Sequence, residues 1–109
     1  MNEYKSEVIT DQSVVFGEVT QFKLIDIRYA YKYDENNQKT DQVDSVVVEA
    51  LCLGSDYSKY NIKLPVEASP KIQIFENFTL LGFSARLYSR KDRLYWSIKA
   101  KGIKAIKEG

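Results

Sequence analysis

Residues 78–106, "FTLLGFSARLYSRKDRLYWSIKAKGIKAI", contain two runs of alternating apolar and polar side chains on either side of a short charged segment. Alternation with a period of two is typical of a β-strand that has one buried face and one wet face. We therefore predict strands at 78–89 and 94–106, joined by a basic turn at 90–93. They are the last strands of a chain whose periodicity favours strand almost throughout.

The two faces of this predicted hairpin differ in chemistry. One parity is apolar and includes Phe83, Leu87 and Trp96, so we expect the Trp96 ring to point toward the core. The opposite parity is basic and aromatic, and the turn adds further cations. These outward residues are Arg86, Tyr88, Arg90, Lys91, Arg93, Tyr95 and Lys99.

Upstream of the hairpin, residues 14–33 predict one long strand. Its wet face carries Arg28 and Lys32, and Gly17 near its start would allow a bulge or a bend. The odd-numbered positions from 25 to 33 hold two isoleucines and three tyrosines, which we expect to pack in the core or at a barrel rim.

Two more strands are predicted between this strand and the hairpin. A polar loop at 34–42 leads to an apolar strand at 43–54, and residues 60–66 form a third strand with Lys63 on its polar face. A helical turn is expected only within 67–77, where a proline limits its length.

Five strands, the first of them long and bent, predict an all-β fold. We expect a small five-stranded barrel of the oligonucleotide/oligosaccharide-binding type (OB-like), with at most a short helical turn between strands three and four. An SH3-like barrel stays open as an alternative because periodicity does not determine strand order. We assign residues 1–13 to an N-terminal extension and residues 14–109 to a single domain, since 109 residues suffice for one core.

Charge is distributed unevenly along the chain. Residues 86–109 carry eight basic and two acidic side chains, a net of +6, whereas residues 1–85 carry eight basic and 13 acidic ones, a net of −5. A basic segment in a chain of formal net charge +1 indicates a region that meets an anionic partner.

The reactive side chains argue against an enzyme. The chain has no histidine and a single cysteine, Cys52, which lies in an apolar run and is expected to be a buried thiol. No nucleophile and base arrangement, paired-carboxylate motif, Cys/His metal site, cofactor motif or glycine-rich phosphate loop is present. Neither a signal peptide nor a membrane-spanning segment is predicted, so we expect a cytoplasmic location.

Binding of single-stranded nucleic acid fits the residues better. Such proteins combine cations that follow the phosphate backbone with aromatic rings on which bases stack. The predicted binding residues are those of the outward hairpin face named above, extended by Arg28, Lys32 and Lys63. The alternative for each lysine or arginine is a solvated, solubilising side chain, and for each tyrosine a covering of the sheet face.

Three segments resemble a known family: "VVFGEV" at 14–19, "YNIKLPVEASPKIQIFENFTLLG" at 60–82 and "LYWSIKAKGIKAI" at 94–106. Together they are similar to small proteins of integrative and conjugative elements of Gram-positive bacteria, over roughly residues 14–106. That family was catalogued as a domain of unknown function from conjugative transposons. It includes a helicase processivity factor that assists a host helicase and the element's relaxase.

The resemblance implies a non-enzymatic accessory protein with an OB-like barrel. Such a protein would bind single-stranded DNA weakly and without sequence specificity, or contact the helicase or relaxase. The alternative is a protein-interaction module without DNA binding, which docks a partner along an edge strand near 61–64. A homo-oligomer through the apolar run "VVVEALCL" at 46–53 also stays open, as does the choice between DNA and RNA.

Overall fold

A computed structural model describes residues 4–54, 57–68 and 71–106 of the chain. Within these residues the fold is all-β, as predicted, with one short α-helix, α1 (Ser13–Phe16), and one 3₁₀ turn (Val66–Ala68). The strands are β1 (Tyr4–Lys5), β2 (Phe22–Tyr33), β3 (Lys39–Cys52), β4 (Lys59–Pro65), β5 (Asn77–Leu81), β6 (Ser84–Arg90), β7 (Arg93–Lys99) and β8 (Gly102–Ala105).

The strands form one hydrogen-bonded sheet in the order β1-β6-β7-β4-β3-β2-β5-β8. Neighbouring strands are antiparallel except β4 and β7, which run parallel and pair at Ile62 with Ile98 and at Lys63 with Lys99. The second and third predicted strands correspond to β3 and β4. The 3₁₀ turn lies between the third and fourth predicted strands, where a helical turn was expected.

The predicted terminal hairpin forms, but each of its strands bends in the middle. β5 is followed by β6 after Gly82 and Phe83, and β7 is followed by β8 after a similar break. The register is the same on both sides of the bend, because Leu81 faces Gly102 and Ser84 faces Lys99. The two halves of the hairpin therefore pair with different neighbours: β5 with β2, and β7 with β4.

The predicted strand at 14–33 begins later than expected. Ser13–Phe16 form α1, and β2 begins at Phe22. The Asp11 carboxylate accepts hydrogen bonds from the Ser13 amide and hydroxyl, which favours a helical turn despite the two valines that follow. Gly17, with a φ of 64°, ends this helix and bends the chain there, so of the two expected alternatives it forms the bend and not the bulge.

A bulge does occur in β2, at Ile25. Leu24 pairs with Ala50 and Asp26 pairs with Glu49, so Ile25 has no opposing residue. An extra residue reverses the parity of everything that follows it. The inward positions are therefore Phe22 and Leu24 before the bulge, and Ile27 after it.

Beyond this region β2 and β3 continue as a two-stranded ribbon, the arm, which we define as residues 31–43. Its strands pair with each other, whereas β5 joins β2 only at its first two residues and β4 joins β3 only from Ser45 onward. Of the two places expected for the tyrosines, core or barrel rim, the core is wrong for Tyr29 and Tyr33, which are 50% and 67% exposed because no strand covers this end of β2.

The core lies between the inward faces of the central strands. Its fully buried large side chains are Phe22, Leu24, Val46, Val48, Ile62, Leu64 and Phe78. Phe16 of α1 completes the core by edge-to-face contacts with Phe22, Tyr60 and Phe83, at ring-centroid distances of 4.8, 5.0 and 5.7 Å. Cys52 is buried, as expected.

The segment assigned to an N-terminal extension contributes to the sheet. β1 pairs with β6, and Ile9 forms an isolated bridge with Ala85. The Ser6 amide donates to the Leu87 carbonyl (2.9 Å), and the Leu87 amide donates to the Ser6 hydroxyl (2.8 Å). This segment therefore lies along the outer edge of β6.

Candidate nucleic-acid interface

The basic hairpin, which we define as residues 84–99, consists of β6, β7 and the turn between them. Arg90 faces Arg93 across the strands, and the two turn residues Lys91 and Asp92 have φ angles of 51° and 63°. Positive φ at both central residues is typical of a two-residue type I′ turn, whose twist matches that of the strands. The tight turn therefore brings three cations to one tip.

The predicted outward face of this hairpin forms as expected. Residues opposite each other in an antiparallel pair lie on the same face of the sheet. Across β6 and β7, Arg86 faces Ser97 and Tyr88 faces Tyr95, with Ser84 opposite Lys99 two residues further along. The opposite face carries Leu87 and Trp96, and Trp96 packs against the core as predicted.

The two tyrosines of this face stack on each other. The ring centroids of Tyr88 and Tyr95 are 5.4 Å apart and the ring planes differ by 13°. From the other side of Tyr88, β1 brings the Lys5 ammonium to 5.9 Å from the ring centroid. The Tyr88 ring is therefore flanked on both sides, whereas Tyr95 is 46% exposed and available to a further flat ring.

The positive charge of the basic hairpin is concentrated on this face and at the tip. Residues 84–99 contain five cationic side chains and one carboxylate, that of Asp92. Arg90, Lys91, Arg93 and Lys99 are exposed, whereas Arg86 is half-buried beside the tyrosines. The stacked pair therefore lies between Arg86 on one side and Arg90 with Arg93 on the other.

Two of the three predicted extensions are continuous with this face. Lys63 of β4 pairs with Lys99 of β7, so the row of cations continues from β7 onto the neighbouring parallel strand. Arg28 of β2 lies two strands beyond Lys63, with Val47 of β3 paired to both of them. The Arg28 guanidinium donates to the Asn61 side-chain oxygen (2.9 Å).

Beyond Arg28 the outer face is no longer basic. Asp26 pairs with Glu49, and Glu49 forms an ion pair with Lys59 at 3.6 Å. Lys32, the third predicted extension, lies in the arm, away from the strands of the basic hairpin. The structure therefore does not bring Lys32 together with the other predicted residues.

Lys5 is the cation that sequence reasoning missed. It belongs to a two-residue strand, which is too short to show a periodicity. Its position depends on the pairing of β1 with β6, where Lys5 lies opposite Tyr88. An isolated lysine in a polar N-terminal segment carries no signal that would have pointed to this place.

The protein-interaction hypothesis places an open edge strand near residues 61–64, but part of this segment is paired on both sides. Ile62 and Lys63 pair with β3 on one side and with β7 on the other, and Leu64 is buried. The apolar run at 46–53 likewise lies in β3, between β2 and β4, so the backbone of this strand is already paired. Neither segment offers an open strand edge to a partner.

No family model, curated protein or solved structure matches this chain. The interpretation of the basic hairpin therefore rests on its own residues. In the described part of the chain, neither helical segment has the length and apolarity that a membrane-spanning helix requires.

Proposed function

We propose that this chain is a non-enzymatic, cytoplasmic accessory protein of a conjugative element that binds single-stranded DNA during replication and transfer of the element. The observation that carries the proposal is the stacked pair of Tyr88 and Tyr95 with cations on both sides, on one face of β6 and β7. The role beside a helicase and a relaxase follows from the sequence resemblance described above.

The chemistry of this face matches what single-stranded DNA requires. Arginine and lysine side chains neutralise phosphates, which positions the strand without reading its sequence. The open side of Tyr95 offers a platform for a base, and every base has a flat face that can stack there. We therefore propose weak binding without sequence specificity.

The strand pairing supports an OB-like barrel as part of this proposal. β5 with β6, and β7 with β8, each form one bent run, so the chain from β2 onward supplies five extended runs. In chain order these runs are β2, β3, β4, β5 with β6, and β7 with β8. The first run pairs with the second (β2 with β3) and with the fourth (β2 with β5). The third run pairs with the fifth (β4 with β7). In OB-folds the loop between strands four and five, here the tip of the basic hairpin, helps to bind oligonucleotides.

The test is a titration of a fluorescein-labelled, 30-nucleotide oligo(dT) with the protein, followed by fluorescence anisotropy at two salt concentrations. We expect an affinity that falls steeply as salt rises. Replacing Arg86, Arg90 and Arg93 by alanine should weaken binding by about 1 kcal/mol each and reduce the salt slope of the triple variant by about 2. Tyr95→Ala should weaken binding by about 1–3 kcal/mol, and Tyr95→Phe much less.

A matched control removes the same charge elsewhere. The triple variant Lys32→Ala, Lys71→Ala and Lys104→Ala loses three cations that lie outside the basic hairpin. Its salt slope should stay close to that of the unmodified protein. Equal slopes for the two triple variants would reject the basic hairpin as the DNA surface.

A protein-interaction module is the second candidate, and an exposed apolar loop favours it. Phe75 is 66% exposed, and Ile74 beside it is 42% exposed. The Phe75 amide donates to the Leu24 carbonyl (2.6 Å) with a φ of 75°, which holds the backbone of this loop at the start of β2. This candidate predicts no affinity for oligo(dT) at any salt concentration.

A further inference from the structure

A cleft lies on the outer face of the basic hairpin, where the N-terminal segment runs along the edge of β6. Its volume is about 290 Å³, enough for a phosphate group with part of its sugar. Val8, which is 49% exposed, lines it on the N-terminal side. The polar groups that line it are Lys5, Ser84, Arg86, Tyr88, Ser97 and Lys99.

The cleft has the lining of an anion site. Three cations, Lys5, Arg86 and Lys99, come from three different strands, and among the residues that the structure describes no carboxylate lines the cleft. None of the three forms an ion pair with another described residue. Hydroxyl groups of two serines and a tyrosine add hydrogen-bond donors between these charges.

The position of Lys5 is determined by the backbone. Besides the pairing of β1 with β6, the Ser6 amide and the Ile9 amide donate to the Leu87 and Ala85 carbonyls, at 2.9 and 2.8 Å. These bonds hold the N-terminal segment against β6 and leave the Lys5 ammonium beside the Tyr88 ring. The backbone of Lys5 is therefore already in place, and the N-terminal segment need not rearrange for Lys5 to reach an anion in the cleft.

We infer that this cleft is the phosphate subsite of the proposed DNA surface, and that the N-terminal strand completes it through Lys5. The inference rests on the proposed function and adds a location and a residue to it. A backbone phosphate of the single strand lies between Lys5, Arg86 and Lys99. The base of a neighbouring nucleotide stacks on Tyr95, which lies on β7 four residues before Lys99.

The test compares charge-removing and charge-keeping variants in the oligo(dT) titration. Lys5→Gln should lower the affinity about fivefold at 0.1 M salt and reduce the salt slope by about 0.7, the value for one phosphate contact with a single strand. Lys5→Arg keeps the charge and should bind like the unmodified protein. Lys71→Gln, at an exposed lysine between β4 and β5, is the matched control and should change neither quantity.

A second measurement does not depend on substitution. In an amide NMR spectrum of the unmodified protein, addition of oligo(dT) should shift the signals of Lys5 and Ser6 together with those of Arg86 and Ser97. It should leave the signals of the arm in place. Unmoved Lys5 and Ser6 signals in a complex that does shift Arg86 would overturn the inference.

The outcomes separate the two proposals. If the unmodified protein binds no oligo(dT), both the proposed function and this subsite are wrong. If Arg86→Gln and Tyr95→Ala weaken binding while Lys5→Gln behaves like Lys71→Gln, the DNA surface stands and the subsite is rejected. A loss with Lys5→Gln that Lys5→Arg restores supports the subsite and argues against a purely structural role for Lys5.

Discussion

At Gly82 the backbone has a φ of 65°, in the left-handed region that favours glycine. A Cβ atom added there would lie 2.6 Å from Cγ and 2.8 Å from Cβ of Lys101 on the facing strand. Gly82 therefore allows both the backbone angle and the close approach at the bend of the terminal hairpin. The bend matters because it lets β5 pair with β2 while β6 belongs to the basic hairpin.

Gly82→Ala should lower the free energy of unfolding by about 1–3 kcal/mol, because alanine is strained at this φ and clashes with Lys101. Gly102→Ala is the matched control, since its nearest contact would be Leu81 Cδ1 at 4.0 Å. Urea denaturation followed by tryptophan fluorescence measures both variants. Equal midpoints for the two would show that the bend does not depend on Gly82.

Among the elements, the arm and the central part of β3 differ in how many neighbours they have. Each strand of the arm pairs only with the other, whereas Val46 to Ala50 of β3 lie between β2 and β4. An isolated two-stranded ribbon is marginally stable in water. The contacts that add to the backbone ladder of the arm are local: the Thr40 hydroxyl donates to the Lys32 carbonyl (2.7 Å), and the Lys39 ammonium lies 4.7 Å from the centroid of the Tyr31 ring.

Amide hydrogen exchange should therefore distinguish the two regions. We expect hydrogen-bonded amides of the arm to exchange at least roughly a hundredfold faster than those of Val46, Val48 and Ala50, because the arm can open without disturbing the core. The measurement is native-state exchange by NMR. Equal protection in the two regions would mean that the arm opens only together with the core.

For the whole molecule, the separation of charge along the sequence becomes a separation in space. The cations of residues 84–99 lie on the basic hairpin, whereas Asp26 and Glu49 lie on the outer face beyond Arg28. A formal net charge of +1 therefore conceals a strongly positive region. Long-range attraction of an anionic strand depends on this local field and should weaken with salt.

The affinity for oligo(dT) should be almost independent of pH between 5.5 and 7.0 at constant ionic strength. The chain has no histidine, the side chain that ordinarily titrates in this interval. Hydrogen bonds from the Ser13 hydroxyl and then from the Ser13 amide hold the pKa of Asp11 below its ordinary value, so this carboxylate also stays ionised. Anisotropy titrations at three pH values check this, and a change of more than about threefold would contradict it.

Parts of the proposed binding face could be predicted from the sequence, because an antiparallel hairpin places the residues of two alternating segments on one face. Once the turn at 90–93 is recognised, alternation alone places Arg86, Tyr88 and Tyr95 on one face. Lys5 and Lys32 show where this reasoning ends. The first joins the face through a strand without periodicity, and the second is carried away from it because the arm extends past the last paired strand.

The first predicted strand forms from Phe22 to Tyr33 but differs from the prediction at its start and at a bulge. Two valines in α1 resemble the start of a strand, but the hydrogen bonds of Asp11 favour a helical turn. The bulge at Ile25 leaves the predicted alternation intact around Ile27, which packs against the core between the exposed Asp26 and Arg28. It does shift the inward positions before it to Phe22 and Leu24, which alternation alone does not reveal, because the extra residue is defined only by its lack of a partner in β3.

Sequence alone determined the all-β class, the terminal hairpin and the outward face of that hairpin, because period-two alternation and a tight turn are local properties of the chain. Tertiary structure alone decided the bend at Gly82, the parallel pairing of β4 with β7, and the addition of β1 beside Tyr88. These depend on which strand edges meet. Two strand edges pair when their pairing buries the apolar core and satisfies backbone N–H and C=O groups that have no other partner. Both conditions depend on the assembled sheet.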